Sequence, residues 1–142
     1  MRGAPSPRIY IMSEVYDRNK NPTQFVPVDN AGDLGDEVAA YVGKEKYVPK
    51  KWRYLLGEDL IRKADQIYDY ASYANEMNTK KEPAKRRECW KLAMASCRQL
   101  DRRLKRLKKV NPAATVESMR EILRLLNIEK EAIATRLERE RG

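Results

Sequence analysis

The sequence predicts an all-α protein: an antiparallel, up-down four-helix bundle with a short first helix behind an irregular N-terminal leader. Three long segments carry apolar side chains every three or four positions, which is the period of a helix with one buried face. Short loops containing Pro or Asn separate these segments, as is typical of antiparallel neighbours. With 142 residues the chain is one domain by length. We assign residues 1–31 to the leader and 32–142 to the bundle.

The leader is predicted to be irregular because four of the seven prolines fall in it. Pro27 directly follows Phe25-Val26 and argues against a central strand there. Met12 is a hypothetical natural start, which would make residues 1–11 an extension. The short first helix is predicted from Asp33 to about Lys44, because acidic residues near its start favour the positive end of the helix dipole.

The second helix is predicted from Pro49 to about Thr79, since Pro suits a first helical turn. Gly57 inside it predicts close packing against another helix. Its apolar stripe consists of Leu56, Leu60, Ala64, Ile67, Ala71 and Ala74.

The third helix is predicted from Pro83 to about Val110, because Asn111-Pro112 ends it. Thr115 is the predicted N-cap of the fourth helix. The stripe of the third helix is Trp90, Ala93, Cys97, Leu100, Leu104 and Leu107. The inward residues of the fourth are Met119, Ile122, Leu126, Ile133 and Leu137.

Charge is strong and unevenly distributed. The chain has 30 Lys and Arg against 21 Asp and Glu, a net charge of +9. Residues 1–43 hold four basic and six acidic residues, net −2, so residues 44–142 hold 26 against 15, net +11. This asymmetry indicates a basic working domain behind a mildly acidic N-terminal part.

Several kinds of chemistry are disfavoured by composition. Without histidine the chain lacks the commonest general base and metal ligand, so we expect no enzyme, metal or cofactor. Cys89 and Cys97 are eight residues apart on one predicted helix, about 12 Å, which is too far for a disulfide. Asp65 and Asp69 are interpreted as solvated or paired with Arg62. No apolar run approaches a membrane span, so we expect no membrane partner and a cytoplasmic location.

The most informative segment runs from Arg98 to Lys109, with seven basic residues and one acid in twelve positions. On a helix, Arg98, Arg102, Lys105 and Lys109 fall within about 60° of one another, while the leucines point roughly the opposite way. Such a one-sided surface favours a polyanion over mere solvation. We call the six predicted contact residues the basic ladder: Arg98, Arg102, Arg103, Lys105, Arg106 and Lys109.

A second basic cluster, Lys50, Lys51 and Arg53, lies at the predicted start of helix two. Cations there oppose the helix dipole, so either a polyanion partner or solvation around the adjacent aromatic residues explains them. Apolar residues also flank the main stripes of the helices, which favours a homo-oligomer of undetermined size. These flanking residues are Leu55, Ile61, Leu92, Met94, Leu123 and Leu125.

The segment Tyr47-Val-Pro-Lys-Lys-Trp-Arg-Tyr-Leu-Leu-Gly-Glu-Asp-Leu60 resembles a motif of small four-helix-bundle proteins. That family includes bundle proteins encoded in ribosomal RNA intervening sequences and the accessory variability determinants of diversity-generating retroelements. Ala74-Asn75-Glu76, Arg86-Arg-Glu and the alternating Leu/basic third helix are more similar to the accessory-determinant branch. The resemblance spans about residues 44–137. The first helix looks shorter than the family's, and the Pro-rich leader has no counterpart.

The resemblance implies a basic homopentameric, barrel-like assembly in a bacterial or phage-infected cell. It implies binding to a reverse transcriptase and its template RNA, or DNA, and a non-catalytic role in mutagenic cDNA synthesis and retrohoming. Two alternatives remain open: a ribosomal-RNA-associated bundle protein, and an assembly protein docking an acidic protein surface. We also hypothesise that the acidic N-terminal part shields the basic face of the free protein.

Overall fold

The computed structural model describes the backbone of residues 22–140 and the side chains of residues 26–140. This part of the chain is helical and has no strand, as predicted. The elements are α1 (Pro22–Val42), α2 (Lys50–Trp52), a π-helical turn (Arg53–Gly57), α3 (Glu58–Glu76), α4 (Pro83–Val110) and α5 (Arg120–Arg139). The predicted leader up to residue 21, with Met12, lies outside the described residues.

The first helix is longer than predicted. It begins at Pro22 and not at Asp33, so the boundary between an irregular leader and the bundle at residue 31 is wrong. Pro27 lies inside this helix, where it removes a backbone hydrogen bond. Pro27 is itself buried, and the stripe continues through Ala31 and Leu34, which are fully buried. Burial of this face therefore outweighs the cost of a proline inside a helix, the local signal on which the prediction of an irregular leader rested.

The predicted second helix is interrupted by the π-helical turn. This turn buries Leu56 but leaves Tyr54 and Leu55 exposed, at 79% and 69% of their surface. Gly57 packs closely, as predicted: a Cβ atom there would lie 2.9 Å from Cγ1 of Val42 and 3.3 Å from Cγ1 of Val48.

The last two helices lie close to the boundaries predicted from Pro83, Asn111-Pro112 and Thr115. Helix α4 has the predicted bounds. Helix α5 begins at Arg120, five residues after the predicted cap. Thr115 instead caps a helical turn that leads into α5, because its Oγ1 accepts a hydrogen bond from the backbone N–H of Ser118 at 3.1 Å. The backbone N–H of Met119 donates to the Thr115 carbonyl at 3.2 Å.

The core forms where the predicted stripes meet. Every predicted stripe residue is buried except Leu137, which is half-buried, and Trp90 is fully enclosed. Helix α1 packs mainly against α3 and α5, and α4 packs mainly against the same two helices. Helices α1 and α4 therefore lie diagonally across the bundle, with their outer sides facing away from each other.

A buried arginine joins three helices at one end of the bundle. Arg86 of α4 donates from Nη1 to the backbone carbonyls of Ala74 and Met77, at 2.6 and 2.9 Å. Its Nε and Nη2 donate to the two carboxylate oxygens of Glu140, at 2.7 and 2.9 Å. The guanidinium thus hydrogen-bonds carbonyl groups at the end of α3 in addition to the bond that the Ala74 carbonyl accepts from the backbone N–H of Met77.

A second buried polar contact joins α1 to α5. Glu129 is fully buried, and its Oε1 accepts a hydrogen bond from Nδ2 of Asn30 at 3.0 Å. The same Asn30 group donates to the Leu125 carbonyl at 2.8 Å. Oε2 of Glu129 has no hydrogen-bond partner within the described part of the chain. Burial raises the pKa of this carboxyl to about 8, although the bond from Asn30 acts to lower it.

Candidate nucleic-acid interface

The basic ladder lies on the outer side of α4. Its leucine side is buried in the core, so the helix must present the opposite side to solvent. Five of the six ladder side chains are exposed: Arg98, Arg102, Lys105, Arg106 and Lys109. Fixed cations therefore recur about once per helical turn along a rigid element.

Arg103, the sixth ladder residue, is held between two helices. Its side chain is half-buried, and its Nε donates to Oδ2 of Asp59 on α3 at 2.7 Å. Asp59 also pairs with Nη1 of Arg62 at 3.0 Å. Arg103 consequently fixes the orientation of α4 against α3 and is less available to a ligand than the other five residues.

Among the described residues, Lys105 is the other ladder residue in an ion pair. Its Nζ lies 3.2 Å from Oδ2 of Asp101, and Nζ of Lys130 on α5 lies 3.9 Å from the same oxygen. Exposed pairs of this kind contribute little to stability. Lys105 can therefore exchange this pair for a phosphate contact at small cost.

The cationic surface extends further along α4 than the predicted ladder. Arg87 and Lys91 line a groove of about 340 Å³ between α4 and α5, together with Arg98. Nη1 of Arg87 donates to the Leu137 carbonyl at 2.7 Å. The groove is also lined by Met94, Ala134, Leu137 and Glu138. The sequence holds a signal for both cations, because they precede Arg98 by 11 and 7 residues and so share its side of a helix.

The second basic cluster divides in two. Lys50 and Lys51 are exposed, and Nζ of Lys51 lies 5.8 Å from the ring centre of Trp52. Arg53 is half-buried within the π-helical turn, and its Nη2 donates to the Val48 carbonyl at 3.4 Å. Its Nε is buried without a partner among the described residues. The two lysines are thus free to meet a ligand, whereas Arg53 is largely enclosed.

The two basic regions lie at the same end of the bundle. Nδ2 of Asn111, just after α4, donates to the carbonyls of Lys46 and Tyr47 at 3.1 and 2.7 Å. This contact ties the end of the ladder to the loop that precedes Lys50. Exposed Tyr54 and Leu55 follow immediately, so this end combines cations with apolar surface.

The cysteines are poorly suited to chemistry. Burial raises the pKa of the Cys97 thiol to about 12, and the carboxylate of Glu129 acts in the same direction. Partial burial, followed by the charge of Glu88, raises the pKa of Cys89. Both thiols are free and stay protonated at neutral pH.

The acidic pair Asp65 and Asp69 is solvated, which is one of the two interpretations of the sequence. Both residues are exposed, and Arg62 pairs with Asp59 instead. Burial, and then the charge of Asp69, raise the pKa of Asp65. Within residues 22–140, no group of three or more His, Cys, Asp or Glu side chains is placed to hold a metal ion.

No helix in the described part of the chain combines the length and the apolar character that crossing a membrane requires. The chain matches no protein-family model, no curated protein and no solved structure.

Proposed function

We propose that this protein is a non-enzymatic accessory factor that binds a reverse transcriptase and its template RNA through a basic surface. In this proposal it supports mutagenic cDNA synthesis and retrohoming in the bacterial cytoplasm, as in the diversity-generating retroelements whose accessory determinants it resembles. The observation that carries the polyanion part is the row of exposed cations on α4 opposite a fully buried leucine stripe.

The arrangement supports backbone recognition. Cations spaced by about one helical turn suit contacts with phosphates, which position a nucleic acid without reading its sequence. The shape of the RNA or the polymerase partner then supplies specificity. Exposed Tyr54 and Leu55 beside Lys50 and Lys51 support a protein contact at the ladder's end, because such apolar surface is typical of interaction sites.

The finer architecture belongs to the same proposal. Tyr41 and Ser118 share a hydrogen bond of 2.6 Å, while Asn30 reaches Glu129. Residue numbers thus increase along α1 in the direction in which they decrease along α5. This antiparallel pairing of the first and last helices supports an up-down order. The proposed homo-oligomer is pentameric by resemblance.

Charge reversal on the ladder tests the polyanion part. We expect the triple variant Arg102→Glu, Lys105→Glu, Lys109→Glu to lose RNA binding in a fluorescence-anisotropy titration while keeping wild-type helicity by circular dichroism. The matched control is Lys80→Glu, Lys81→Glu, Lys85→Glu, which makes the same charge change on exposed residues near the other end of α4.

Salt dependence is the second readout. About six phosphate contacts to a single-stranded RNA should weaken wild-type binding by roughly 300-fold between about 50 and 200 mM salt. Wild-type RNA binding that is equal at both salt concentrations would refute the proposed interface. So would a control variant that loses as much RNA affinity as the ladder variant. A reverse transcriptase gene beside this one supports the retroelement assignment, whereas a position inside a ribosomal RNA intervening sequence favours the ribosomal branch.

A further inference from the structure

Helix α1 presents an acidic outer face. Its sequence contains four acidic residues and no basic residue. Asp33, Asp36 and Glu37 are exposed and fall within about 100° of one another around the helix. No ion pair of these three side chains occurs within the described residues. Exposed Ala40 lies on the same side and leaves room for close approach by another helix.

Helix α4 has the opposite character. It contains eleven Lys and Arg against two Asp and Glu. Because α1 and α4 lie diagonally in the bundle, the acidic face and the basic ladder point in opposite directions. The acidic face of α1 therefore points away from the ladder of its own molecule, while the predicted leader up to residue 21 lies outside the described residues.

We infer that the acidic face of α1 docks on the basic ladder of a second copy of this chain, where it occupies the surface that a polyanion would use. The three acids lie within one helical turn of α1, while ladder cations recur every three or four residues along α4. One turn of acids can therefore pair with two or three neighbouring ladder cations of opposite charge. A contact between different faces is heterologous, so an associated pair still has one free acidic face and one free basic face for further copies. Exposed ion pairs are individually weak and screened by salt, so the association is weak and salt-sensitive.

A charge-swap experiment on the full chain tests this inference. Variant A carries Asp33→Lys, Asp36→Lys and Glu37→Lys, and variant B carries Arg98→Glu, Arg102→Glu and Lys109→Glu. In sedimentation velocity without nucleic acid at low salt, we expect the wild type to self-associate and each variant alone to do so at least tenfold more weakly. An equimolar mixture of A and B should associate again, because the basic α1 face of A complements the acidic α4 face of B.

The matched control reverses three exposed acids elsewhere, Glu58→Lys, Asp69→Lys and Glu76→Lys on α3, which changes net charge as much as variant A does. We expect this control to self-associate like the wild type, and short oligouridylate to disperse the wild-type assembly. Circular dichroism of every variant confirms that it folds. A monomeric wild type at low salt would overturn the inference and leave another basic partner for α1. Wild-type association of variant A, or a mixture that stays monomeric, would also overturn it.

The competition by RNA rests on the proposed function, but the contact between copies does not. Variant A keeps the ladder intact and should bind oligouridylate at least as tightly as the wild type. If variant A binds RNA but associates normally, the docking fails and the proposed function stands. If the charge swap restores association while no form binds RNA, the proposed function fails and the docking stands.

Discussion

Glu129 should make the protein less stable as the pH rises from acid to mildly alkaline conditions. Its carboxyl is fully buried between α1 and α5, and one of its oxygens has no partner among the described residues. Burial raises its pKa from an ordinary value of 4.5 to about 8, so the folded protein holds a proton that the unfolded chain releases. The stabilising effect of that proton is complete below about pH 4.5 and disappears as the pH rises through about 8.

The size of the effect follows from the two pKa values. At about 1.4 kcal/mol per pH unit, the interval from 4.5 to about 8 corresponds to about 5 kcal/mol. Glu129→Gln keeps the shape and can still accept the hydrogen bond from Asn30, but it never has to carry a charge. We therefore expect the variant to match the wild type near pH 4.5 and to exceed its free energy of unfolding by up to about 5 kcal/mol at pH 9.

Urea denaturation followed by circular dichroism at several pH values from 4.5 to 9 measures this difference. Glu131→Gln is the matched control, because Glu131 is exposed on the same helix. The control should follow the wild-type pH profile. Wild-type and Glu129→Gln profiles that run parallel across this range would show that Glu129 is charged in the folded protein and would refute the reasoning.

Two further substitutions probe the packing. Gly57→Ala should lower the free energy of unfolding by about 1–3 kcal/mol, although Ala has the better helix propensity, because the added Cβ would meet Val42. The control Gly35→Ala should be neutral or stabilising, because the nearest contact of a Cβ there is 3.9 Å away. Equal effects of the two substitutions in thermal unfolding would contradict this reasoning. Arg86→Ala should cost about 3–5 kcal/mol by urea denaturation, because it removes the buried guanidinium that the Met77 carbonyl and the Glu140 carboxylate accept from. The control Lys85→Ala, at an exposed position, should cost under about 0.5 kcal/mol. A loss at Arg86 no larger than at Lys85 would mean that the buried network contributes nothing.

The elements that could be predicted are those whose signals are local. Pro83 and Asn111-Pro112 bound α4, and a spacing of three and four residues identified its buried side and hence its exposed cations. The start of α1 was missed because Pro27 argues locally against regular structure, while its burial depends on helices that lie far away in the sequence.

The polar residues of the core were missed for a related reason. Arginine and glutamate are rarely buried, so an unaligned sequence gives no reason to place Arg86 or Glu129 inside. Their partners, Glu140 and Asn30, lie 54 and 99 residues away, beyond the reach of any periodicity. The π-helical turn was missed as well, because nothing in its residues distinguishes it from the α-helix on either side. By contrast, the place of Lys91 on the same side of α4 as the ladder could be predicted from the helical period alone.

The separation of acidic α1 from basic α4 also gives the molecule a permanent electric dipole across its short axis. The field of a polyanion exerts a torque on such a dipole, and this torque turns α4 toward the strand before contact. Encounters therefore arrive already oriented, and the association rate constant should exceed that of a protein with the same net charge spread evenly. The gain should shrink as added salt shortens the distance over which the torque acts.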